Sequence, residues 1–407
     1  KIIVATPQTI QNDLEDGTLN LSDFSLVVFD EAHRCVKEYA YTYVAKKYLE
    51  QAKNPLILAL TASPGSERER IEEIKNHLNI EYIEIRSEYD RDIRPYIKKV
   101  DKIFVSVELP NELKRAREEI EKVRKELIKD LINLGIINDE NIKKKDLIQI
   151  YQNFLERSDI LNRNVFRNIL FKLLQLIKVE YLLELLETQS SSYFLEYLEK
   201  MKNSNKFYEK ILANDPRIKI AESIVKDFMN KKLPHPKMEK LEEILKILIS
   251  SNPQVKIIVF ANYRATIEFI YEELKSKGLK VAKLVGQASR GKYEGMSQKE
   301  QEKVIKEFAA GIYNILICSS VGEEGLDIPK TDYAIFYEPV PSEIRSIQRR
   351  GRVGRQEHGK VIFLITKDTR DEAYYWAAFH KEKRMRKLIN EIKKELLQTN
   401  DTKIDSQ

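Results

Sequence analysis

Apolar positions follow two different periods along this chain, and the places where one gives way to the other mark its domains. From residue 1 to about 110, short apolar runs at Ile2 to Ala5, Leu26 to Asp30, Leu56 to Leu60 and Tyr82 to Ile85 alternate with amphipathic segments. Strands separated by helices in this way predict a parallel sheet with crossover helices. From about 111 to 228 Leu, Ile, Lys and Glu dominate, and only Gly135 and Pro216 interrupt. Apolar residues there recur at helical spacing, as in Ile169, Leu173, Leu176 and Ile177, which predicts an all-helical block. After Leu233-Pro-His-Pro236, which reads as a linker, the β/α alternation returns in Lys256 to Phe260, Val281 to Val285, Ile315 to Cys318, Tyr333 to Tyr337 and Val361 to Ile365. The fold expected is therefore α/β: a sheet domain over 1–110, a helical insertion over 111–228, a second sheet domain over 229–395 and a polar tail over 396–407.

A length of 407 residues suits two or three domains rather than one core. With 42% hydrophobic and 33% charged residues the chain reads as globular, with a heavily charged surface. Its net charge of +6 permits a polyanionic partner without requiring one. Charges within the helical block nearly balance, so solvated bundle faces are its default reading. Cys35 and Cys318 lack the paired spacing of a zinc or disulfide framework, which points to a reducing compartment, and with no membrane span or signal peptide apparent the expected location is the cytoplasm. The chain opens on a strand-like run at Lys1 without a methionine, so the natural protein is expected to begin further upstream.

Candidate chemistry sits where apolar strands end. Leu26-Val-Val-Phe29 delivers Asp30-Glu31-Ala32-His33, two adjacent carboxylates at a strand's carboxyl end, where open α/β sheets bind ligands. Phosphoryl transfer needs one carboxylate for Mg²⁺ and another group to orient the attacking water, and Asp30 and Glu31 suit these roles. The same tetrapeptide would also serve as an acidic helix start. A second strand, Leu56 to Leu60, runs into Thr61-Ala62-Ser63-Pro64, whose hydroxyls lie at the same sheet edge and can bond His33. In the second domain Phe260 leads into Ala261-Asn262-Tyr263-Arg264, and Cys318 leads into Ser319-Ser320-Val321-Gly322-Glu323-Glu324-Gly325-Leu326-Asp327. Then follow four arginines in seven residues, Arg349-Arg350-Gly351-Arg352-Val353-Gly354-Arg355, after Gln348. Helix-disfavouring glycines inside this run suggest arginines aimed at phosphate rather than a solvated basic helix.

In order, TPQ at 6–8, DEAH at 30–33, TASP at 61–64, ANYR at 261–264, SSVGEEGLDIP at 319–329 and QRRGRVGR at 348–355 resemble motifs Ib, II, III, IV, V and VI of superfamily 2 helicases. The helical insertion, Glu108-Leu-Pro110 and His235-Pro-Lys-Met-Glu-Lys240 look like the archaeal Hef and Fanconi anaemia M-type branch, which acts on DNA forks and junctions. That resemblance implies two RecA-like domains and ATP with Mg²⁺ as cofactors. It assigns Asp30 to the metal, Glu31 to the catalytic water, and His33 with Thr61 and Ser63 to coupling between nucleotide and nucleic acid. It also implies that Asp327 faces the ribose, with Gly325 and His33 at the nucleotide, and that Arg352 and Arg355 act as arginine fingers beside Gln348. Thr6, Pro7, Gln8, Arg264, Gly286, Gln287, Ser319 and Ser320 fall where the family touches the nucleic-acid backbone. Gly322 and Val353 stand where many relatives carry Ala and Thr.

One departure is larger. Motif I, the G-x-x-x-x-G-K-[ST] loop that cradles phosphates, should precede DEAH, and only Gly17 lies there. Gly286 to Lys292 mimics its spacing in the other half of the chain, but Tyr293 replaces the metal-binding hydroxyl. The first domain is therefore expected to be incomplete at its N-terminus, with motif I in an upstream segment, and residues 1–407 alone to be inactive. No nuclease-type motif appears before Gln407, although the family often carries a nuclease region downstream. The expected partner is forked, branched or single-stranded DNA. Double-stranded RNA is the alternative suggested by the innate-immune sensor helicases, which carry a comparable insertion. An ATP-independent nucleic-acid-binding protein is the reading that follows if Lys1 is the true start.

Overall fold

A computed structural model describes residues 2–86, 91, 99–156, 163–231, 235–289, 293–322, 326, 328–340, 342, 345, 349 and 358–404. The chain divides into two compact units, Lys1–Val100 with Val340–Gly359 and Tyr374–Gln407, and Asp101–Pro339 with Lys360–Ala373. The helical block and the second sheet fall within one of these units.

In the first unit, β1 (Val27–Phe29) pairs in parallel with β2 (Ile57–Ala59), with Val28 beside Leu58. Helices α1 (Pro7–Glu15), α2 (Ala40–Gln51) and α3 (Arg68–His77) accompany them, and Phe29, Val44, Tyr48, Ile74 and Leu78 form the core. The runs at Ile2 to Ala5 and Tyr82 to Ile85, expected as strands, are irregular, and Ile2 and Val4 are almost fully exposed. Neither has a pairing partner among the described residues, and an apolar run without a neighbouring strand has nowhere to place its backbone hydrogen bonds.

In the second unit the sheet order is β3-β8-β7-β4-β6-β5. Here β3 is Lys99–Val107, β4 Ile257–Phe260, β5 Val281–Leu284, β6 Ile315–Cys318, β7 Tyr333–Phe336 and β8 His358–Thr366. Strand β4 pairs in parallel with β6 and β7, and every residue of β4 and β6 is buried, so these central strands read as unbroken apolar runs. Strand β3 lies inside the span assigned by sequence to the first domain, yet it is the edge of this second sheet. Because β4, β5 and β6 are parallel, the loops that follow them emerge at one edge. Helices α10 (Pro236–Ser251), α11 (Arg264–Ser276) and α12 (Gln298–Ala310) flank the sheet, α12 opening on a Ser297–Glu300 capping box and closing on left-handed Gly311.

The helical block comprises α4 (Asn111–Asn133), α5 (Lys144–Leu155), α6 (Arg163–Thr188), α7 (Ser191–Lys202), α8 (Phe207–Ala213) and α9 (Pro216–Asn230). It has its own core, including Leu113, Ile120, Leu173, Leu176, Phe194 and Phe228. Asp215 caps α9 with Pro216 at its first position, which fixes where that helix starts. The last helix, Arg370–Ile404, continues through most of the segment expected as a polar tail.

Candidate functional site

Asp30 and Glu31 leave the carboxyl end of β1, where the backbone turns through a left-handed Glu31 (φ 52°) into a 3₁₀ turn at Ala32–Arg34. That conformation is costly for a side chain with a Cβ and is held by its surroundings. The Ala32 amide donates to the Leu60 carbonyl (2.9 Å) and the Tyr41 hydroxyl to the Asp30 carbonyl (2.6 Å). Asp30 is exposed, its Oδ1 accepting the Glu31 amide at 2.9 Å. His33 is buried, with Nδ1 3.1 Å from both Glu31 Oε2 and Thr61 Oγ1.

The hydrogen-bond chain beyond it favours one tautomer. Thr61 Oγ1 donates to the Ser63 carbonyl (3.1 Å) and accepts the Ser63 amide (3.2 Å), so with its proton spent it can only accept from His33. In that arrangement His33 donates to Thr61 from Nδ1. Burial, reinforced by the charges of Arg34 and Arg70, lowers its pKa to about 4, so its approach to Glu31 at neutral pH is that of a neutral imidazole, not a salt bridge. Ser63 is buried and donates through Oγ to Met385 Sδ (2.8 Å).

Of the TPQ residues, Thr6 caps α1, accepting the Thr9 amide at 3.4 Å, and Pro7 occupies the helix's first turn. Gln8 is exposed and donates to the Tyr39 hydroxyl at 3.4 Å.

In the second unit, Arg264 spends its guanidinium on the loop after β5. It donates to the carbonyls of Glu294 (2.5 Å), Gly286 (2.6 Å) and Ala288 (2.8 Å). The Tyr293 hydroxyl then ties the same loop to Glu196 on α7 at 3.0 Å. Gly295 packs so closely on the Gln287 carbonyl that a Cβ would lie 1.7 Å from its oxygen. Gln287 and Ser320 are exposed. Ser319 is buried, its amide donating to the Leu284 carbonyl (3.1 Å) and its hydroxyl receiving the Val321 amide (3.4 Å). The structure thus gathers Glu31, His33, Thr61 and Ser63 in one unit, and Arg264, Gly286 and Ser319 in the other. Gly325, Asp327, Gln348, Arg352 and Arg355 lie outside the described residues; of the motif VI arginines only Arg349 is described, and it is fully buried.

Residues 236–357 match the family model "Helicase conserved C-terminal domain" and residues 1–66 match "Type III restriction enzyme, res subunit". The crystal structure of the Pyrococcus furiosus Hef helicase domain superimposes with a TM-score of 0.68 at 45% identity, covering 92% of this chain and 78% of that one. The chain belongs to the superfamily 2 helicases, in the Hef and Fanconi anaemia M-type branch. Among curated members, a putative ATP-dependent RNA helicase of Methanocaldococcus jannaschii is 40% identical over 96% of this chain and 49% of its own length. The ATP-dependent DNA helicase fml1 of Schizosaccharomyces pombe is 33% identical over 90% of this chain and 46% of its own length. The chain thus spans about half of these relatives. Against the helicase pattern, Gly322 gains a steric reason: a Cβ there would lie 2.7 Å from Cys318 Cβ and 3.2 Å from Phe260 Cε1, so alanine does not fit beside this Cys318.

Sequence reasoning missed a set of buried charges in the second unit. Lys237, fully buried, pairs with Asp371 and donates to the Tyr337 carbonyl at 2.8 Å. Arg370 pairs with Glu187 (2.8 Å) and Glu180 (2.7 Å) of α6. The one available signal was Lys237 within the family-like His235 to Lys240 stretch, read only as the way into the second domain.

Proposed function

We propose that this chain is the motor part of an ATP-dependent helicase or translocase acting on forked or branched DNA. The observation that carries the reading is His33, whose Nδ1 lies 3.1 Å from both Glu31 Oε2 and Thr61 Oγ1, because it sits between a carboxylate at one strand end and the hydroxyl loop at the next. In this reading Glu31 orients the attacking water, and a change in its contacts passes through His33 to Thr61 and Ser63. Asp30, an exposed carboxylate at the sheet edge, fits Mg²⁺, which takes one or two carboxylates and completes its shell with phosphates and water. When bound, the ion would neutralise charge on the ATP phosphates. Arg352 and Arg355, with Gln348, would stabilise charge at the γ-phosphate, and Asp327 and Gly325 would meet the nucleoside.

Thr6, Pro7, Gln8, Gly286, Gln287, Ser319 and Ser320 are the proposed backbone contacts, which give position without sequence preference. Arg264 acts through the loop it clasps, as a positioning residue. Among the described residues no helix is long and apolar enough to cross a membrane. The two buried free thiols, Cys35 and Cys318, favour a reducing compartment such as the cytoplasm.

Residues 1–407 contain no G-x-x-x-x-G-K-[ST] run with its terminal hydroxyl. Positioning of the phosphates is most of phosphoryl-transfer catalysis. Phosphate release is therefore expected only from a protein that also carries such a loop. It should be stimulated more by forked DNA than by duplex RNA, and should fall at least about a hundredfold on Glu31→Gln. Stronger stimulation by duplex RNA would assign the motor to RNA instead. Turnover by residues 1–407 alone that vanishes in Glu31→Gln would overturn the dependence on that loop.

A further inference from the structure

The last helix, Arg370–Ile404, buries Ala378, Met385 and Ile392, residues seven apart and so on one face. Met385 meets Ser63, Glu395 pairs with Arg68, and Lys393 donates to Glu84 at 2.9 Å, so this face is occupied by the first unit. At 100° per residue the opposite face carries Trp376, His380, Lys383, Lys387 and Lys394, all exposed. Trp376, the chain's single tryptophan, is 48% exposed, and the neighbouring Phe379 is 41% exposed. Their rings form one group: Trp376 to Phe379 is 5.7 Å at 89°, and Trp376 to His380 is 6.1 Å at 29°. Over residues 381–394 the chain has seven Lys or Arg against two Glu.

We infer that this stripe is a nucleic-acid contact outside the helicase motifs, with Trp376, Phe379 and His380 stacking unpaired bases and Lys383 and Lys387 following the phosphates. Exposed aromatic rings beside a run of cations match the two components of single-strand binding, a π-platform and a positive track. The charge decides against a protein partner, because protein interfaces favour aromatic residues but are depleted of lysine. From Trp376 to Lys394 the face extends about 27 Å, room for several nucleotides. The inference rests on the reading of the chain as nucleic-acid-binding, and deepens it by naming single-stranded bases as what this helix holds.

The test uses residues 1–407 with an oligothymidine of about 20 nucleotides, followed in parallel by anisotropy of a labelled strand and by the tryptophan emission, which reports Trp376 alone. Emission should be quenched in step with the anisotropy rise. Trp376→Ala should weaken binding roughly tenfold and Trp376→Phe about twofold or less, since a phenyl ring still stacks. Lys383→Glu with Lys387→Glu should weaken binding and flatten its salt dependence, with Trp376 still present as reporter. All these positions are exposed, and unchanged thermal unfolding would confirm that the variants fold. Saturable anisotropy with no quenching, or with full affinity in Trp376→Ala, would overturn this inference while leaving nucleic-acid binding intact. No anisotropy change in the unaltered chain would overturn the binding reading itself.

Discussion

His33 shows how far a single side chain can be read from sequence. Its place after Asp30-Glu31, and a bond to the hydroxyls after the next strand, were legible because strand ends in a parallel sheet share an edge. Its charge state was not, since that depends on what buries it. With a folded pKa of about 4 below the ordinary 6.5, the fold favours the neutral ring. His33 therefore costs nothing above pH 6.5, and stability is lost as pH falls from about 6.5 through about 4, by up to about 3 kcal/mol. The urea midpoint of the unaltered chain should fall more steeply between pH 7 and 5 than that of His33→Asn. Equal slopes would show that His33 is already free to protonate. Arg264 adds a contact that the same reasoning did not supply: its donors meet three carbonyls of the loop after β5. A long flexible side chain takes whatever acceptors the tertiary fold brings near, and spacing along the chain does not say which.

At the scale of elements, helices were read more securely than strands, and for a physical reason. A helix satisfies its backbone within itself, so the 3.6 period and caps such as Asp215-Pro216 locate it locally. A strand needs a partner distant in sequence. Ile2 to Ala5 and Tyr82 to Ile85 have strand composition but no pairing strand among the described residues, while Lys99–Val107, placed by order in the first domain, pairs into the second sheet. The β1–β2 pair carries a related consequence. Its inner face packs Phe29, but Val28 and Leu58, side by side in register, are 49% and 46% exposed, with Leu56 and Leu60 on the same side. An apolar sheet face of this kind promotes self-association. Val28→Thr with Leu58→Thr puts β-branched, strand-compatible residues at both positions and should raise the concentration at which residues 1–407 stay monomeric in sedimentation, with stability changed by less than about 1 kcal/mol. Unchanged self-association would place the sticky surface elsewhere.

At the scale of the whole molecule, the helical block has a core of its own yet is fastened to the second sheet by polar contacts. Arg370 reaches Glu180 and Glu187, the Tyr263 hydroxyl donates to Glu184 at 2.5 Å, and Thr266 bonds Gln189. Three of these lie on or beside motif IV and the start of the last helix, so the block and the sheet are expected to move together. Replacing residues 111–228 by a short linker would strip Arg370, Tyr263 and Thr266 of these partners at once. Removing one side of a buried ion pair costs about 3–5 kcal/mol, and an orphaned buried hydroxyl about 1–3 kcal/mol. The simple deletion should therefore unfold at markedly lower temperature, and adding Arg370→Leu, Tyr263→Phe and Thr266→Val should recover most of the loss. That repaired deletion is the proper protein in which to ask what the block does. If the block grips the duplex arms of a fork, the repaired protein should bind single strands as before and lose its preference for forked DNA in competition binding. A folded, repaired deletion that still prefers forks would reduce the insertion to a buttress for the second sheet.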